Sequence, residues 1–177
     1  RGRTRVEIHN LLKRMNVTAI YVTHDQEEAL TISDKIAVMN RGRIEQLSEP
    51  AKLYTEPATK FIAGFVGHAN FFEGTVLRTE RDRLVVRTAT GKEINARVPE
   101  PELLPENHAA TLIIRPENTS IISLPICEHN TFEGTVRARN YLGSNVRYII
   151  DLNESRDLEI DLTAGDAEYY SEGDRVY

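Results

Sequence analysis

The chain has 177 residues, 40% hydrophobic and 28% charged, an ordinary globular composition with room for one large or two small domains. Its net charge of −5 comes from acids and bases mixed along the whole length, without the basic block that a binder of nucleic-acid phosphates carries, so nucleic acid is a poor choice of partner. Cys127 is the only cysteine, which rules out an internal disulfide, and no apolar run approaches the roughly 20 residues needed to cross a bilayer.

In chain order, Val6 to Met15 has Ile8, Leu11, Leu12 and Met15 at helical spacing and predicts an amphipathic helix, turned by Asn16-Val17-Thr18. The β-rich run Ala19 to Thr23 predicts a strand that delivers His24 to its end, where α/β folds place their chemistry. Asp25 is a good N-cap for a short helix from Gln26 to about Ile32, with Glu28 at capping-box distance and Glu27 beside it. Ile36 to Met39 reads as a buried strand, Asn40-Arg41-Gly42-Arg43 supplies turn chemistry, and Ile44 to Gln46 returns as the hairpin partner. Ser48 or Glu49 can open a helix with Pro50 in its first turn. Thr55 can cap a second helix with Ala58, Phe61, Ile62 and Phe65 on one face. Gly64, Gly67 and His68-Ala69-Asn70 break the pattern, which places a domain boundary near Gly67.

Beyond that boundary the chain turns β-rich. Phe72-Glu73-Gly74-Thr75-Val76 returns 60 residues later as Phe132-Glu133-Gly134-Thr135-Val136, which implies a duplicated β unit. Short alternating or β-branched runs follow at Leu84 to Thr88, Ile94 to Val98, Thr111 to Arg115, Thr119 to Ile122, Val146 to Leu152 and Leu158 to Leu162. A small OB-like barrel buries one face of each such strand and removes exposed edges. Gly74 and Gly134 are expected at bulges or tight bends at equivalent barrel corners.

The stretch Thr23-His24-Asp25-Gln26-Glu27-Glu28-Ala29-Leu30, continued by Ser33 to Gln46 and Pro50 to Pro57, resembles the switch-histidine (H-loop) region of ATP-binding-cassette (ABC) ATPases, in the importer branch whose nucleotide-binding subunits carry a C-terminal TOBE domain. Arg115-Pro116-Glu117 and Glu172-Gly173-Asp174-Arg175-Val176-Tyr177 look like TOBE landmarks, the second of which would normally lead into one further strand. The resemblance implies an α/β piece over residues 1–67, the C-terminal end of a RecA-like ABC ATPase core, followed over residues 68–177 by an all-β OB-like TOBE barrel.

It further implies that His24 donates a hydrogen bond to the γ-phosphate of ATP and helps to position the attacking water. The expected ligand is ATP with Mg. The expected partners are a second copy of the chain, membrane-embedded permease subunits and a solute-binding protein, at the inner face of the cell membrane. Within this family a phosphate loop, a Leu-Ser-Gly-Gly-Gln-type signature and an apolar strand ending in Asp-Glu would lie upstream of Arg1, and none occurs in the chain. The chain is therefore expected to be a fragment, inactive by itself, of a transport-coupled ATPase, and prone to associate through the edges of Ala19 to Thr23. The phrase Val66 to Gly74 looks more like the polyamine and ferric-iron importers than the sugar group.

Two other readings stand beside this one. His24 can simply satisfy a local backbone carbonyl, and the β-rich part can be an autonomous oxyanion-binding TOBE module that uses Thr, Ser and backbone N–H groups near the duplicated motif. Asp25 is explained as a cap, and Gln26, Glu27 and Glu28 as a solvated first turn. His9, His68, His108 and His129 lack metal-ligand spacing, so no metal is expected on them. Cys127 reads as a structural thiol, and Tyr21, Tyr54, Tyr141 and Tyr148 as packing residues.

Overall fold

A computed structural model describes residues 2–80, 83–98, 105–125, 129–153, 156–165 and 170–177, with side chains from residue 9 onward and at residue 7. Cys127 lies outside the described residues. The chain divides into two units, Arg1–His68 and Ala69–Tyr177.

In the first unit, helix α1 spans Gly2–Arg14 and helix α2 spans Gln26–Ile32. Of the apolar positions predicted along this helix, Leu11 and Met15 stay open, at 49% and 62% exposure, and Leu12 is half-buried. Lys13 near the end of α1 instead forms a 2.6 Å ion pair with Asp34. That hydrogen bond holds the Asp34 carboxyl below its ordinary value against an opposing desolvation, helped by the charge of Lys13 and then of His9.

The strand predicted at residues 19–23 does not form. The segment pairs with no ladder, and Ile20 and Val22 are 93% and 90% exposed. A β-run has nowhere to send its N–H and C=O groups without a neighbouring strand, whatever its propensity. Among the described residues of the first unit, the paired strands are those of the hairpin at residues 36–48, and no ladder flanks residues 19–23.

The predicted hairpin forms, β1 over Ile36–Asn40 and β2 over Arg43–Ser48, but of the strand expected to be buried only Val38 is, with Met39 61% exposed. Its two-residue loop places Arg41 at φ 48° and Gly42 at φ 77°, the positive pair that matches the right-handed twist of the flanking strands. Helix α3 spans Pro50–Thr55 behind Glu49, and α4 spans Lys60–Phe65. The cap of α4 is Thr59, whose side chain accepts from the Ile62 N–H, rather than Thr55. Thr55 lies inside α3, where its hydroxyl donates to the Ala51 carbonyl. Val38, Leu53, Ile62 and Val66 form the small core, while Phe61 and Phe65 stack on each other at 5.7 Å on the open side of α4.

The second unit is mostly β and OB-like. Strands β3 (Asn70–Glu80), β4 (Arg83–Thr88), β5 (Glu93–Arg97) and β6 (Ala109–Ile114) make one antiparallel sheet in the order β5-β4-β3-β6. Strands β7 (Gly134–Tyr141), β8 (Asn145–Asp151), β9 (Asp157–Thr163) and β10 (Arg175–Val176) repeat that topology as β10-β7-β8-β9. Residues 119–122, predicted as a strand, follow a 3₁₀ turn at Pro116–Asn118, and only Ile122 makes a ladder-like pair of backbone hydrogen bonds, with Tyr177.

The duplication extends to hydrogen bonds. Register shifts occur between Val76 and Arg78 against β4, and between Val136 and Ala138 against β8. At each bulge the valine exchanges backbone hydrogen bonds with a tight turn, Val76 with Asn107 and His108, and Val136 with Gly173 and Asp174. The motif glycines sit two residues before the bulges rather than in them. A Cβ on Gly74 would meet the Arg87 carbonyl oxygen at 2.6 Å, and one on Gly134 would meet Ile150 Cγ2 at 2.5 Å and the Asp151 carbonyl oxygen at 3.0 Å. Close backbone approach, not turn geometry, therefore demands glycine at both sites.

Two asparagines, each two residues before a motif phenylalanine, link the sheets reciprocally. Glu159 N–H in β9 donates to Asn70 Oδ1 at 2.9 Å, and Asn70 Nδ2 donates to the Glu159 carbonyl at 2.7 Å. In the other direction, Asn95 N–H in β5 donates to Asn130 Oδ1 at 2.8 Å, and Asn130 Nδ2 donates to the Asn95 carbonyl at 3.0 Å. Each amide satisfies the backbone of an edge strand in place of a neighbouring strand. Between the two clamps Phe72 and Phe132 meet at 5.7 Å, in a core that draws on both sheets and includes Val76, Val136 and the fully buried Tyr148. The two sheets thus share one interior without forming a single closed ladder.

Candidate functional site

His24 sits between the extended segment and α2, one residue before the helix cap, and its imidazole is exposed. The local sequence fixes this junction tightly. Asp25 Oδ1 accepts from Glu28 N–H at 3.2 Å, and Asp25 N–H donates to Thr23 Oγ1 at 2.9 Å. The Thr23 hydroxyl donates onward to Glu28 Oε2 at 2.8 Å, and the same oxygen accepts from the Tyr21 hydroxyl at 3.1 Å. Thr23 thus links the Asp25 N–H to the Glu28 carboxylate, joining the two members of a capping box. Glu28 is half-buried and engaged, so it is more than the solvated first-turn residue expected from sequence.

His24 itself makes no hydrogen bond among the described residues. The reading in which it satisfies a nearby backbone carbonyl is therefore not realised. An exposed imidazole on a junction pinned at both neighbours can offer a donor to a ligand approaching from outside. Among the described residues no three His, Cys, Asp or Glu side chains gather where they could hold a metal ion. Tyr148 is core and edge-stacked with Tyr170 at 6.1 Å, Tyr54 packs on the core of the first unit, and Tyr21 and Tyr141 are 60% and 58% exposed.

In the second unit the residues that sequence reading missed are Asn70 and Asn130. The signal was present, since both precede the repeated pentapeptide at the same distance. The expected TOBE landmark Arg115 is buried at 5% exposure, immediately before the 3₁₀ turn.

A TOBE domain family model matches residues 112–177. The C-terminal part of the chain is therefore similar to TOBE domains. The chain is 42% identical over 150 residues to the spermidine/putrescine import ATP-binding protein PotA of Rubrobacter xylanophilus, a match covering 85% of this chain and 39% of that protein. It is 37% identical to PotA of Nostoc sp., covering 90% of this chain and 42% of that protein. With PotA of Pseudomonas aeruginosa it shares 35% identity, over 99% of this chain and 49% of the relative. The likeness to ATP-binding subunits of ABC importers, read first from residues 23–57, is shown by these relatives, and the chain spans less than half of their length.

A solved structure of the molybdate-binding protein ModG with molybdate bound superimposes with a TM-score of 0.52 at 14% identity, covering 60% of this chain and 86% of that one. That similarity concerns the fold alone. It fits a second unit built from two copies of one four-stranded Greek-key sheet.

Proposed function

We propose that the chain is the C-terminal portion of the ATP-binding subunit of an ABC importer, with His24 as its contribution to the nucleotide site and the TOBE unit as a regulatory or dimer-bracing module. The observation that carries this reading is an exposed imidazole, unengaged among the described residues, on a doubly pinned junction ahead of α2, in a chain 35–42% identical to PotA proteins.

ATP supplies the phosphoryl group and Mg neutralises its charge when both are bound. The described residues offer no acid cluster for the metal, so that part of the site is assigned to protein outside this chain. What this chain provides is one hydrogen-bond donor, oriented by the Thr23–Asp25–Glu28 relay and aimed from a helix start. Phosphoryl transfer depends mostly on positioning and charge stabilisation, so a single well-placed donor carries a large share of the rate.

The names of the relatives support a polyamine as the transported solute; the partners proposed with it are permease subunits, a solute-binding protein and a second ATP-binding subunit at the inner face of the membrane. No helix among the described residues is long and apolar enough to cross a membrane, so transport in this reading passes through partners.

The test is His24→Ala in the intact ATP-binding protein. ATP hydrolysis should fall by about 10²–10³, the cost of losing one aimed donor, while nucleotide affinity stays within a few-fold of wild type. Hydrolysis at the wild-type rate would remove His24 from the nucleotide site.

A further inference from the structure

The segment that leads to His24 is held by side chains rather than by a β-ladder. Residues 19–23 pair with no strand among the described residues, and Ile20 and Val22 stand open. Tyr21 and Thr23 lie two positions apart, the period at which an extended segment repeats a face, and they converge on a single carboxylate oxygen. Glu28 Oε2 accepts from the Thr23 hydroxyl at 2.8 Å and from the Tyr21 hydroxyl at 3.1 Å. Tyr21 is 60% exposed, so burial does not account for where its ring lies, whereas the reach to Glu28 does.

Glu28 is also tied to the far side of His24. Its N–H donates to Asp25 Oδ1 at 3.2 Å, and the Thr23 hydroxyl that it engages receives the Asp25 N–H at 2.9 Å. The residue before His24 and the residue after it are thus both bonded to Glu28, the first through its side chain and the second through its backbone. Asp25 N–H, Thr23 hydroxyl and Glu28 carboxylate form a chain in which every donor points the same way, so each bond polarises the next. Glu27, one residue earlier in α2, is exposed and makes no side-chain hydrogen bond among the described residues; only its carbonyl is used, by the Thr31 hydroxyl.

We infer that Glu28 is a positioning residue for His24: its carboxylate, gripped by the Tyr21 and Thr23 hydroxyls, sets the path of the backbone through residue 24 and so the point from which the imidazole donates. The inference rests on the nucleotide reading of His24 and deepens it. Glu28 acts through His24 alone, as an anchor and not as a base or a metal ligand. Because a misplacement of about 1 Å at a reacting group can cost about 10²-fold in rate, releasing the anchor should be felt in turnover.

The experiment measures steady-state ATP hydrolysis by the intact ATP-binding protein carrying Glu28→Ala, Glu28→Gln, Thr23→Val or Glu27→Ala, and carrying Glu28→Ala together with His24→Ala. In Glu28→Ala, kcat should fall by about 10-fold to 10²-fold while KM for ATP stays within a few-fold of wild type. Thr23→Val exchanges one hydroxyl for a methyl at nearly constant shape and should lower kcat by about 10-fold, which keeps the test open if the alanine variant folds poorly. Glu28→Gln retains an acceptor for both hydroxyls and should recover most of the lost rate. Glu27→Ala removes the same charge from the same helix turn and should hydrolyse ATP at the wild-type rate. With His24 already replaced by alanine, Glu28→Ala should change the residual rate by less than about 2-fold, because no imidazole is left to misplace, whereas a merely structural role would lower it again. Wild-type rates in both Glu28→Ala and Thr23→Val alongside a slow His24→Ala overturn the inference and leave the nucleotide reading standing. A Glu28→Ala loss of equal size with and without His24, or a matching loss in Glu27→Ala, overturns it as well. Wild-type hydrolysis in His24→Ala is a separate result, which removes the nucleotide reading and the inference with it.

Discussion

Replacing Asn70 with alanine tests whether a pair of side-chain amides holds the two sheets together. Asn70 is 8% exposed, and its amide is the partner of both backbone groups of Glu159, at 2.7 and 2.9 Å. Truncation removes two hydrogen bonds, each worth about 1 kcal/mol net, and leaves a strand N–H and C=O facing a site that water reaches poorly, at about 1–3 kcal/mol per orphaned group. The orphaning penalty already contains the lost bonds, so the two groups together give a loss of about 2–6 kcal/mol, which moves a urea midpoint down by about 1 M or more. The equivalent Asn130→Ala acts at an exposed amide where water can substitute, so its cost should be near 1 kcal/mol.

Urea unfolding gives both numbers, and amide hydrogen exchange supplies the local readout. Protection of the Glu159 N–H should drop selectively in Asn70→Ala, and that of the Asn95 N–H in Asn130→Ala. Asn70→Asp is a sharper probe, because it keeps an acceptor for the Glu159 N–H but puts a carboxylate against the Glu159 carbonyl. It should be at least as damaging as alanine. An Asn70→Ala protein within 0.5 kcal/mol of wild type, with Glu159 protection intact, would refute the clamp.

Gly134→Ala should cost about 2–3 kcal/mol by overpacking, since the new Cβ would stand 2.5 Å from Ile150 Cγ2 and 3.0 Å from the Asp151 carbonyl oxygen. Equilibrium unfolding measures it, and a neutral result would show that β7 and β8 can separate freely there. Asp34 has a lowered folded pKa, so the stabilisation it gives is present above the ordinary aspartate pKa of about 4 and is lost as pH falls through the lower folded value. Carboxyl NMR titration should place Asp34 below an ordinary aspartate and return it toward that value in Lys13→Met. An Asp34 midpoint that ignores the loss of Lys13 would contradict the pairing.

How far sequence reading reached depended on how local each interaction is. The hairpin at Arg41-Gly42, the start of α2 behind Asp25 and the repeated pentapeptide were all legible, because a cap, a positive φ or a strand opening is encoded within a few neighbouring residues. The helix cap at Thr59 was missed for Thr55, two similar hydroxyls four residues apart that only the path of the chain could separate. Residues 19–23 carried every local mark of a strand and formed none, since pairing requires a second chain segment that propensity cannot supply.

By itself, the sequence determined the duplication and those elements whose caps and turns are local, and singled out one histidine as a candidate. Only the tertiary structure decided that Asn70 reaches a strand 89 residues away and Asn130 one 35 residues back. Those juxtapositions follow from register. A slip of one residue in either sheet would turn the same side chains to the opposite face, and no local preference records which register wins.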